Sequence, residues 1–347
     1  MTTTASVAVR TDERVRRVGW LRLLPARPEL GAVLGTFVVW ALFAAWSGSR
    51  GFLTIAGTAN YLQIAAQLGI IGSVAALLII SGEFDLSMGS MIGASGMILA
   101  LSIAHFNQPV WVGLLAAFGF ALAVGFINGY LVVRTGLPSF IITLAGFFGL
   151  RGLALAMARL LTGTTVVGSL DSHIAGDPVA MLFTASVDGF AVVIVWWALV
   201  AAICHIVLMR SQFGNWIFGC GGSATAARNL GVPVERVKII LFMSTAAVAC
   251  LLACIQVLGV GSADANRGVQ KEFEAIITAV IGGTLLSGGY GTVIGTIFGA
   301  LTLAITQQGL FFAAVDAEWY RVSLAVILLS AVLLNQYVRL RAARTRL

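Results

Sequence analysis

The chain has 347 residues, 59% of them hydrophobic and only 10% charged, with a mean hydropathy of +0.99. Soluble domains carry about 25% charged residues, so the composition excludes an ordinary soluble enzyme and implies a polytopic helical membrane protein. The net charge of +7 is not a nucleic-acid signal, because six arginines precede residue 30 and four follow Val338, where they flank apolar spans and fix topology.

The apolar runs are continuous rather than alternating, which sets aside a β-barrel. A helix needs about 20 apolar residues to cross a hydrocarbon core of roughly 30 Å. On that measure residues 1–30 are a basic cytoplasmic tail and 31–338 are the membrane domain. The run after the tail lacks a suitably placed cleavage site, so it reads as a retained helix rather than a signal peptide. The expected spans, in chain order, are 31–46, 60–80, 88–104, 110–133 and 139–161. After a polar external loop at 162–188 come a sixth span ending at Met209, then 239–260, 273–286, 292–312 and 320–338. Residues 339–347 form a second basic tail. Ten spans place both termini in the cytoplasm. Fifteen Arg and Lys then fall on inner segments and four on outer ones (Arg50, Arg267, Lys271 and Arg321), as the positive-inside rule requires. Residues 81–87 and the flanks of 273–286 are Gly-rich, so a broken or re-entrant backbone is expected there.

Residues 210–238 are the one long polar interruption on the cytoplasmic side. They hold Arg210, Arg228, Arg236 and Lys238 against Glu235 alone. Within them Ser223-Ala-Thr-Ala-Ala-Arg-Asn-Leu230 reads as a short helix. Ser223 supplies the N-cap, and Gly231 and Pro233 supply the stop. Glycines recur at four-residue spacing: Gly291, Gly295 and Gly299; Gly89 and Gly93; Gly125 and Gly129. Such stripes let helix backbones approach closely.

Glu83 and Asp85 sit in an apolar neighbourhood. Either they line a cavity or pair with a base, or they occupy a cytoplasmic turn. Arg151 lies deep in the fifth span, as a gate residue or as the partner of a buried group. With Glu272 and Glu274 at the head of the eighth span, these are the candidate pathway or gate residues. Gly282-Gly-Thr-Leu-Leu-Ser-Gly-Gly-Tyr-Gly291 is not a phosphate-binding loop, because no Lys-Ser/Thr follows and no strand precedes it. It reads as a broken helix or tight hairpin. His105, His173 and His205 are scattered without metal-ligand spacing. Cys204, Cys220, Cys250 and Cys254 match no zinc or haem pattern. No nucleophile–base arrangement stands out, so catalytic, metal and cofactor sites are not expected on this chain.

Four blocks resemble the permease subunits of ribose-type carbohydrate-uptake ABC importers. They are Gly82-Glu-Phe-Asp-Leu-Ser-Met-Gly-Ser90; Pro138-Ser-Phe-Ile-Ile-Thr-Leu144 with Arg151-Gly152; Gly219 to Gly231 with Ala226-Ala-Arg228; and Glu272-Phe-Glu-Ala-Ile276 with Val280-Ile-Gly-Gly-Thr284 and Gly288-Gly289. The likeness covers about residues 50–338. Departures are Glu83 for a Gly, Ser223 for an Asn, Glu274 for an Asp and Thr278 for an Ala. The resemblance implies a pathway formed by two permease subunits, as a homodimer or heterodimer, in the bacterial inner membrane. A partner ABC ATPase would carry ATP and Mg²⁺, and a periplasmic or lipid-anchored sugar-binding protein would deliver a monosaccharide. Ser223, Ala226, Ala227, Arg228 and Gly231 would form the ATPase-coupling loop. The outer segments 162–188, 261–272 and 313–318, with Asp171, Asp177, Asp316 and Glu318, would receive the binding protein. Another small polar solute (a sugar alcohol, a furanosyl signal, a nucleoside) is the alternative cargo. An ion-coupled secondary carrier is the alternative class.

Overall fold

Among the described residues thirteen helices make up most of the chain. The computed structural model describes residues 28–344, with side chains to Leu333. Of the expected basic tails, 1–27 and 345–347 lie outside the described residues, and 339–344 continue the last helix. The elements are α1 (Pro28–Ser47), α2 (Ile55–Ile80), α3 (Met88–Ala100, extended by a π turn over Leu101–His105), α4 (Val110–Thr135) and α5 (Ser139–Thr162). Then follow β1 (Val166–Val167), α6 (Asp171–Ile174), α7 (Pro178–Thr184), β2 (Ser186–Val187), β3 (Phe190–Ala191) and α8 (Val193–Arg210). The rest are α9 (Gln212–Asn229), α10 (Val234–Val260), β4 (Ala263–Asp264), α11 (Lys271–Ile281), α12 (Val293–Phe312) and α13 (Glu318–Arg344).

Eight helices are long and apolar enough to cross a membrane: α1 to α5, α8, α10 and α12. The expected tenth span occupies α13, a 27-residue helix. The expected span at 273–286 is different. Its helix, α11, has 11 residues and covers only about 16 Å at 1.5 Å per residue. The reason is local. Gln270 stands in the left-handed region with φ +69° and blocks extension backwards. Gly283, Gly288 and Gly289, all at positive φ, turn the chain away at the other end. Residues 263–270 supply the missing length as irregular backbone packed against α3. Such backbone is tolerated at depth only when protein covers it. Here Ala263, Ala265 and Glu272 are each about 1% exposed, so the part of 261–272 next to α3 is buried and is not an external loop.

Burial sorts the helices into two shells. α2 is 83% buried over its most apolar window and α3 78%, against 22% for α1 and α5. α10 and α12 belong with the inner group, α4 and α8 with the outer. The inner helices interlock: α2 packs on α12 and α11, while α10 packs on α4 and α3. α2 and α10 run antiparallel, because Lys238 meets Glu83 just past the end of α2, whereas Gln256 bonds Gln67 midway along it.

The glycines make these approaches possible. A methyl group on Gly125 or Gly129 would press on the Met243 or Ile239 Cα of α10, at 2.7 and 2.8 Å. On Gly295 or Gly299 it would overlap the carbonyl oxygens of Gly282 or Thr278. Gly291 precedes α12, whose N-cap is Thr292, so the helical stripe comprises Gly295 and Gly299 only. At the end of the molecule opposite α9, β1 pairs with β4, and β2 with β3, to cap the helices.

Candidate functional site

The chain between α8 and α10 is broken into two helical pieces. Ser223 has extended backbone (φ −162°, ψ 105°) in the middle of α9. Its Oγ accepts the Ala226 N–H at 3.3 Å, which makes it the N-cap of a short helix over 224–229. The helix stops at Leu230 and Gly231, the latter at φ +85°. Ala226, Arg228 and Gly231 are exposed. Ala227 is not: it is 4% exposed and packs inward, so it is a seat for the helix rather than part of its outer face. Arg228 lies 3.8 Å from Glu235, with both side chains more than half exposed, and such pairs contribute little. The exposed feature missed by the sequence reading is Leu230, which is 85% exposed just beyond the membrane helices.

Immediately before the kink, Gly221 and Gly222 are wedged between two other turns. The Gly289 N–H donates to the Ile80 carbonyl at 2.8 Å. A methyl on Gly221 would overlap that same carbonyl and the Gly289 nitrogen. Gly288 lies equally close to Gly82 and Gly221. The end of α2, the kinked α9 and the turn between α11 and α12 therefore touch backbone to backbone.

From this junction a polar seam runs along the start of α3. Lys238 of α10 forms an ion pair with Glu83, which is 8% exposed. Asp85 is 4% exposed. Its Oδ1 accepts the Ser87 N–H (2.9 Å) and the Ser87 hydroxyl (2.6 Å), and its Oδ2 accepts the Thr245 hydroxyl (2.6 Å). Asn128 donates to the Ser87 Oγ at 3.0 Å. Ser139 and Thr143 of α5 accept the Phe84 and Leu86 amides at 3.0 and 3.1 Å. The Phe84, Leu86 and Ser87 amides freed by the break between α2 and α3 are thus each taken up by a side-chain acceptor. Thus Glu83 and Asp85 are buried and partnered, not free in a turn.

Farther along, the Arg151 guanidinium reaches the Ser90 Oγ at 3.5 Å and lies 5.4 Å over the Phe147 ring, while its Nε has no hydrogen bond. Glu272 comes to the other side of the same turn. A methyl on Gly89 would overlap its carboxylate, and its Oε2 is buried without a hydrogen bond. Arg151 and Glu272 are thus brought to the two sides of the head of α3, without an ion pair between them among the described residues. Glu274 is held apart by Lys271 at 2.5 Å. Among the described residues no group of three or more His, Cys, Asp or Glu side chains could hold a metal ion.

Residues 57–333 match the family described as the branched-chain amino acid transport system / permease component. The chain is 30% identical over 322 residues to the probable ABC transporter permease protein YphD of Escherichia coli K12, covering 92% of each chain. It is 30% identical over 291 residues to the ribose import permease protein RbsC of the same bacterium, covering 83% of this chain and 88% of that one. It is 29% identical over 286 residues to the fructose import permease protein FrcC of Rhizobium meliloti, covering 81% and 78%. No solved structure matches the chain.

Proposed function

The chain belongs to this family of ABC transporter permeases, multi-pass inner-membrane transport components rather than enzymes, and on that premise we propose that it forms the pathway for ATP-driven uptake of a monosaccharide. The sugar class rests on relatives named for ribose and fructose import and on the sequence blocks quoted above. A partner ATPase and a substrate-binding protein complete the machine. A second permease, another copy of this chain or a related one, completes the pathway. ATP and Mg²⁺ bind on the ATPase.

One observation carries the mechanism: the capped helix over 224–229 is joined through Gly221 and Gly222 to both inner broken segments. A helix docked in an ATPase groove moves when the ATPase closes. Backbone contact at Gly221, Ile80 and Gly289 leaves no flexible side chain to absorb that motion. It passes to the end of α2 on one side and to the α11–α12 turn on the other. Both lead to the head of α3, where Arg151 and Glu272 lie against Ser90 and Gly89 from either side. The opposite face, with exposed Asp171, Asp316 and Glu318, receives the binding protein. Asp177 instead caps α7, accepting from Val179 and Ala180 at 2.7 and 3.2 Å.

Leu230 is the apolar anchor of the ATPase contact. Burying a leucine is worth about 1.5–3 kcal/mol, so Leu230→Asp or Ala226→Asp should lower co-purification of the ATPase with tagged permease about tenfold or more and abolish D-ribose uptake. The permease itself should stay in the membrane at normal level. Full ATPase recovery and full uptake by both variants would overturn the coupling assignment.

A further inference from the structure

A cavity of about 340 Å³ opens at the end of the molecule away from α9. It lies within the size range of small-molecule sites, about 300–1,000 Å³. Its walls come from the middle of α2, the end of α10, α7 and the start of α8. The walls are polar and apolar in about equal measure: Gln63, Gln67, Gln256 and Arg267 enter them, and Phe183 and Thr184 close one side. No acidic residue lines it.

The polar groups are preorganised. The Gln256 Nε2 donates to the Gln67 Oε1 at 2.9 Å. Arg267 donates through Nη1 to the Gln256 backbone carbonyl, also at 2.9 Å. What these bonds leave over is a set of both kinds of partner: the Nε2 of Gln67, the Oε1 of Gln256, the whole amide of Gln63 and the remaining guanidinium N–H groups. None of these has a hydrogen bond within the protein among the described residues. The Phe183 ring is held in place by Trp196, 5.6 Å away at an interplanar angle of 9°.

We propose that this cavity is a binding site for a neutral polyhydroxylated solute of monosaccharide size, occupied at the end of the pathway where cargo arrives. Each hydroxyl of such a solute both donates and accepts, and each amide offers one group of each kind. The C–H face of a sugar ring suits Phe183. An amino acid would bring a carboxylate and an ammonium group, and no negative charge in the cavity offsets the ammonium. A lipid phosphate would find only Arg267, which already donates to Gln256. The inference rests on the importer reading and adds to it a site for the cargo.

The test uses the permease with its ATPase in nanodiscs and without binding protein. Saturation-transfer NMR reads direct contact of D-ribose, with L-leucine as the counter-probe. Two variants remove the site in different ways. Gln67→Leu/Gln256→Leu deletes the amides. Gly259→Phe fills the space, and a Cβ at Gly259 meets nothing within 4 Å, so the backbone there has room for a side chain. Saturation transfer to D-ribose but not L-leucine, reduced at least fivefold in both variants with basal ATP hydrolysis unchanged, is the expected result. Transfer to L-leucine instead, tightly held phospholipid in native mass spectra that the Gly259→Phe variant releases, or D-ribose signals equal in all three proteins would each overturn the site. ATP-dependent D-ribose uptake measured with the complete system separates the two claims. If the wild type transports and the variants bind as it does, only the cavity proposal falls. If no ATPase assembles and no ATP-dependent uptake occurs, the importer reading falls and takes the proposal with it.

Discussion

Breaking the Glu83–Lys238 pair tests whether the break between α2 and α3 is clamped to α10. The two side chains are 11% and 18% exposed. Removing one member of a fully buried pair costs about 3–5 kcal/mol, chiefly because the other charge is left unpaired. The residual exposure here lowers that to about 2–3 kcal/mol for Lys238→Met, which strands the carboxylate. At roughly 2–4 °C per kcal/mol for a chain of this order, the melting temperature of the detergent-solubilised protein should fall by about 5–10 °C. Glu83→Gln should cost less, because the amide still accepts from the ammonium. The double variant Glu83→Gln/Lys238→Met removes both charges and should melt above Lys238→Met alone, with a coupling energy of about 1–2 kcal/mol in the cycle. Intrinsic fluorescence during a thermal ramp gives all four values. Strictly additive effects, or a Lys238→Met protein that melts with the wild type, would refute the clamp.

Asp85→Leu should prevent recovery of monodisperse protein, because it orphans the Ser87 amide and hydroxyl donors and leaves the Thr245 hydroxyl only the Phe242 carbonyl, and each hydrogen bond to a charged acceptor is worth about 1.5–3 kcal/mol. Asp85→Asn, which keeps one acceptor oxygen, should be recovered in reduced yield on size-exclusion chromatography; normal yield from the leucine variant would show that the seam is not structural. Gly295→Leu should separate α12 from the end of α11, because its side chain would overlap the Gly282 carbonyl. Wild-type expression and D-ribose uptake by that variant would rule out the close approach.

Continuous apolar runs made most helices legible from the sequence. The fourth span, expected at 110–133, is Val110–Thr135, and the fifth, expected at 139–161, is Ser139–Thr162. Pro109 and Pro138 start them and Gly136 and Gly163 end them, so the stop signals lie in the chain itself. The Ser223 cap was legible for the same reason, since a serine three residues before the amide that donates to it is a local pattern. The 273–286 region was not, because average hydropathy weighs side chains and says nothing of Gln270 in the left-handed region. Nor were the partners of the buried groups. Lys238 is 155 positions from Glu83, and Thr245 is 160 from Asp85, so only the antiparallel register of α2 and α10 joins them. Ala227 and Leu230 exchanged roles because one turn and a half of helix is too short for periodicity to tell its seat from its face.

The seam also explains why polar residues gather where helices are interrupted. A break inside lipid frees backbone amides, and the Phe84 and Leu86 amides are taken by hydroxyls of α5. Those hydroxyls, Asp85 and the Glu83 pair are therefore required by the fold, whatever the protein transports. Arg151 and Glu272 are different. Each is placed against the head of α3, and each keeps a buried polar atom without a hydrogen bond, which is costly in a low-dielectric interior. A static scaffold gains nothing from that arrangement. A protein that alternates between two packings does, because groups left unsatisfied in one packing can pair in the other and so lower the difference between them. The seam is thus fully bonded around Asp85 and the Glu83 pair, and its unsatisfied polar atoms are confined to Arg151 and Glu272.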